Sequence, residues 1–180
     1  SSDVCSSDLA LKDGFQENWD LEVHLDGSTN PKAVPGLDAL VSTTPNVGVI
    51  GGIDAATSPY WRNFADMGIP TGTAGVLITR METLWRQTIT YGKLGAPNFI
   101  VVGAAMYDAI QADALKVMSR QITLGTSTTG GITLDPSTKA LAFKGVPVVW
   151  DPSFEALDAK LGSITYPWTK RGYFLNSKAI

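Results

Sequence analysis

Between residues 76 and 121 the chain carries two apolar patterns that cannot share one kind of secondary structure. Leu77, Met81, Leu84, Trp85, Thr88 and Ile89 recur at spacings of three and four, which places them on one stripe of a helix. NFIVVG (98–103) then runs without a charged break and is rich in β-branched residues, the pattern of a strand covered on both faces. AAMYDAIQADALKVMSRQ (104–121) returns to helical spacing, with Met106, Ile110, Ala114, Val117 and Met118 directed inward. A strand covered twice needs layers on both sides, so these segments demand a sheet with helices packed against it. The first helix, about 17 residues or roughly 25 Å long, reads as a structural spine. Thr73 is its expected N-cap and Gly92 its stop signal.

The flanking segments extend the same plan. ALAFKGVPVVWDP (140–152) reads as a strand, a Lys-Gly turn and a second strand closed by Asp-Pro. Helical FEALDAKL (154–161) and a strand in RGYFLNS (171–177) follow, while TLGTSTTGGITLDPSTK (123–139) reads as an extended loop or a loose hairpin. Towards the amino terminus, Leu11, Phe15 and Trp19 at four-residue spacing predict a helix or helix-like arm over 10–26. DGSTNPKAVPG (26–36) is a loop by its Gly and Pro content, LDALVST (37–43) a short strand or a turn of helix, and VGVIGGI (47–53) a strand broken by glycines. Strands flanking helices without regular βαβ alternation make the fold class α+β.

Two features of the ends affect what composition can say. SSDVCSSDL (1–9) matches the translation of a common sequencing-library adapter, so it is set aside as an expected artefact and the lone Cys5 with it. GYFLNSKAI breaks off within a strand-like pattern, so both ends of the reading frame are expected to be cut. Without Asp3 and Asp8 the chain holds 14 basic and 15 acidic groups, a net charge of −1. That balance argues against a duplex-binding surface of the usual kind. Runs such as IVVGAAM (100–106) are too short to span a bilayer. No cofactor is implied, and no metal site either.

Few residues invite chemistry. Gly48-Val-Ile-Gly51-Gly52 follows a strand-like run but fits neither the dinucleotide fingerprint nor a P-loop, and a tightly packed turn accounts for it better. His24, the only histidine, has no elbow serine to serve and reads as a surface or cap residue. Asp151 stands at a strand end, where α/β enzymes keep catalytic acids, but Asp-Pro is also an ordinary turn. Asp54 and Asp151 are therefore the candidate site of an alternative reading, a small α+β enzyme or ligand-binding domain. Tyr60-Trp61-Arg62-Asn63 admits two accounts. Its rings and planar cation suit a subunit interface, or Trp61 sits in its own core while Arg62 pairs with a nearby carboxylate.

Taken in order, GLDALVST (36–43), GGID (51–54), YWRN (60–63), APNFIVVGAAMYDAI (96–110), LAFKGVPVVWDP (141–152) and GYFLN (172–176) resemble the major capsid proteins of tailed phages with the Hong Kong 97-type fold. The resemblance implies a shell-forming structural protein rather than an enzyme, with no catalytic residues. It implies a remnant of the N-terminal arm and extended loop in 10–46 and a peripheral domain with its spine helix in 47–97. The axial domain would be 98–170, with the return to the peripheral domain in 171–180. Trp61, Arg62 and Asn63 would lie near intersubunit contacts. The implied partners are further copies in pentamers and hexamers, with scaffold, portal or decoration proteins beside them; neither a membrane nor a specific nucleic-acid sequence is among them. The implied location is the virion, assembled in the host cytoplasm.

Overall fold

The computed structural model describes residues 2–28, 30–92, 95–118, 127–129, 132–135, 140–162 and 164–178. The chain divides into two compact units, 1–65 and 66–180. The architecture is α+β, as the mixture of patterns predicts.

The amino-terminal unit begins with α1 (Ser2–His24), a helix that starts earlier than expected and includes residues 2–9. Nothing before Gly14 breaks a helix, and no proline falls within α1 at all. The four-residue stripe does not face a core: Leu11 is 76% exposed and Phe15 69%, while Leu21, His24 and Leu25 are the buried residues of this segment. Gly36 N–H returns to the Leu25 carbonyl at 2.8 Å, which folds the 26–36 loop back on the end of α1. A single helical turn, α2 (Leu37–Leu40), follows. Then comes a two-stranded antiparallel hairpin, β1 (Val49–Ile50) and β2 (Ile53–Asp54).

The second unit is built on a six-stranded sheet of order β4-β5-β6-β7-β3-β8. Its strands are β3 (Phe99–Val102), β4 (Ser127–Thr129), β5 (Ile132–Asp135), β6 (Ala140–Phe143), β7 (Val146–Trp150) and β8 (Gly172–Leu175). β3 lies between β7, to which it is parallel, and β8, to which it is antiparallel. Every other pairing is antiparallel. The loose-hairpin option for 123–139 is realised in its described part, where β4 pairs with β5; the rest of that segment lies outside the described residues. Lys144 (φ 53°) and Gly145 (φ 81°) make the expected turn between β6 and β7, both left-handed as a two-residue hairpin of this kind requires.

Two helices, α3 (Val76–Tyr91) and α4 (Ala104–Met118), cover one face of the sheet. Leu77, Ile78, Met81 and Trp85 of α3 and Ile110 and Ala114 of α4 share a core with Ile100, Val102, Phe143 and Val148. The Trp85 ring meets Phe143 and Phe174 edge to face, with centroids 5.7 and 6.4 Å away. The expected stripe needs three corrections. Ile78 belongs to the core, Leu84 is only half-buried and lies outside it, and Ile89 is 46% exposed; Ile89 sits a full turn past Trp85, the last position of α3 in that core. Val117 and Met118 lie outside the described side chains. On the opposite face, α5 (Ser153–Leu161) and the 3-10 turn Trp168–Lys170 bury Phe154, Leu157 and Trp168 with Tyr173 of β8. Alternation along β3 serves both layers: Ile100 and Val102 point to the first core, and buried Val101 to the second.

The expected cap of α3 also differs. Thr73 makes no capping bond; the N-cap is Gly75, in the left-handed region (φ 81°) and without a side chain to give. The carboxylate of Asp113 on α4 takes that place, at 2.7 Å from Gly75 N and 3.3 Å from Ile78 N. Gly92 does end the helix, its N–H bonding the Thr88 carbonyl at 2.9 Å.

Candidate functional site

The cluster at 60–63 is assembled by the hairpin before it. Gly51 (φ 59°) and Gly52 (φ 79°) both hold left-handed backbone, which lets two residues reverse the chain between β1 and β2. The glycine pattern is thus a hairpin turn, in keeping with its poor fit to a phosphate loop. Asp54 ends the hairpin: its Oδ1 accepts the Ala56 N–H at 2.8 Å and its carbonyl accepts the Ser58 N–H at 3.0 Å. This is the side-chain-supported turn that aspartate favours. Pro59 then opens a 3-10 turn, Pro59–Trp61.

Three side chains fasten this turn to its surroundings. Trp61 Nε1 donates to the Ile50 carbonyl at 3.1 Å. Arg62 donates through Nε to the Ala55 carbonyl at 2.6 Å and through Nη2 to the Ala56 carbonyl at 2.9 Å. Asn63 pairs with the backbone of Ser42 in both directions, giving Nδ2–H to its carbonyl at 2.9 Å and receiving its N–H at 3.2 Å. Arg62 therefore serves carbonyls, not the carboxylate that one account expected. Charge-assisted bonds of this kind are the stronger class, so the backing of the cluster is firm. What it presents outward is aromatic: Tyr60 is 84% exposed and Trp61 44%. Val47, Val49 and Phe64 of the same unit are exposed as well.

The other candidates are placed differently. His24 is buried rather than on the surface, with Nδ1 2.7 Å from the Asp20 carbonyl inside the last turn of α1. Asp151 caps its own turn, accepting the Ser153 N–H at 2.9 Å as α5 begins. Asp54 and Asp151 fall in different units. Among the described residues, no group of three His, Cys, Asp or Glu side chains could hold a metal ion. Among the described residues, no helix is long and apolar enough to cross a membrane.

Two carboxylates that sequence reasoning passed over hold the second unit together. One is Asp113, the cap of α3. The other is Asp158 on α5, which accepts Trp168 N–H at 2.6 Å, Thr169 N–H at 2.9 Å and the Thr169 hydroxyl at 2.8 Å. Beside it the Arg171 guanidinium lies 4.2 Å from the Trp168 ring centroid. Asp113 had a sequence signal, a charge on the inward stripe of α4 between Ile110 and Ala114. Asp158 had none.

Comparison of the chain with family models, with curated proteins and with solved structures finds no match.

Proposed function

We propose that the chain belongs to a self-assembling shell subunit of the tailed-phage, Hong Kong 97 type, and that it acts by association and not by catalysis. The observation that carries this reading is the Tyr60-Trp61 pair, two exposed rings on a turn fastened from behind by Arg62 and Asn63. Large rigid rings of low conformational entropy suit an interface that must form many times over. The α+β build, with a 16-residue α3 beside a mixed sheet, is compatible with the spine helix and axial sheet of that family. In this reading the peripheral domain spans 47–97, the axial domain 98–170 and the return 171–180. Residues 10–46 hold the arm and loop, and the subunit functions in the virion. Trp61 then makes the contact, while Arg62 and Asn63 hold its shape.

The alternative, an enzyme or ligand site at Asp54 or Asp151, has less support, because each carboxylate already accepts a local backbone N–H. The deciding experiment is electron microscopy of particles from the complete gene product carrying Tyr60→Ala and Trp61→Ala. Particle yield should fall while circular dichroism of the subunit is unchanged. Normal shells in normal yield would remove the interface role, and absence of any particles from the unaltered protein would remove the shell reading.

A further inference from the structure

We draw no further inference here: the strongest candidate, the exposed stripe of Leu11, Phe15, Trp19 and Val23 along α1 in the amino-terminal unit, is an unpartnered apolar helix face, and nothing in the structure shows what covers it.

Discussion

Asp113 and Gly75 stand 38 residues apart in sequence, yet the Asp113 carboxylate accepts the Gly75 N–H at 2.7 Å and so caps a helix to which it does not belong. Its second oxygen reaches Ile78 N–H at 3.3 Å, and the side chain is only 3% exposed. A helix start exposes unpaired N–H groups and a partial positive charge, which a buried carboxylate satisfies together. The bond also locks α3 to α4 in one register above the sheet.

Asp113→Ala should therefore cost about 2 kcal/mol, the range for leaving buried donors unpaired. Asp113→Asn keeps one acceptor and should cost less. Urea unfolding of both variants measures the difference; equal and negligible losses would show that the cap is dispensable.

Trp85→Ala should cost about 3–5 kcal/mol, as truncation of a buried aromatic does. Ile89→Ala, on the same stripe by spacing, should change stability by no more than about 0.5 kcal/mol. Comparable losses at the two positions would mean that Ile89 is covered.

Acid sensitivity should trace in part to Asp158. Burial pushes its carboxyl up, but the bonds from Thr169 and Trp168 and the charge of Arg171 outweigh that and hold it below the ordinary value of 3.8. A carboxyl lowered in the folded state adds stability above its unfolded pKa and loses it as pH falls through the folded value. Asp158→Asn should thus be less stable than the unaltered chain near neutrality. Its stability should also fall less between about pH 4 and pH 2. Parallel acid curves for the two proteins would refute this.

Gly103→Ala should destabilise the second unit by about 1–3 kcal/mol, the usual cost of overpacking. A Cβ there would sit 2.5 Å from Thr169 Cα and from its carbonyl oxygen, backbone atoms that cannot swing aside. A thermal melt unchanged by the substitution would show that the 3-10 turn can move away.

Local pattern determined the elements of the second unit. The spacing of Leu77, Met81 and Trp85, the unbroken Phe99–Val102 run and the Lys144-Gly145 turn each declare their structure within a few residues, because helix and strand periodicity is a short-range property. The α+β class followed from their order. The same logic failed on α1, where Leu11, Phe15 and Trp19 recur correctly for a helix but meet no core, since spacing reveals a stripe and not what covers it. Tertiary structure alone decided that Asp113 caps α3, that Asp158 holds the 168–170 turn, and that Arg62 serves the Ala55 and Ala56 carbonyls. It also decided that the rings of Tyr60 and Trp61 stand exposed. A polar side chain can bond any donor or acceptor brought within about 3 Å, and which one arrives depends on how distant segments fold together.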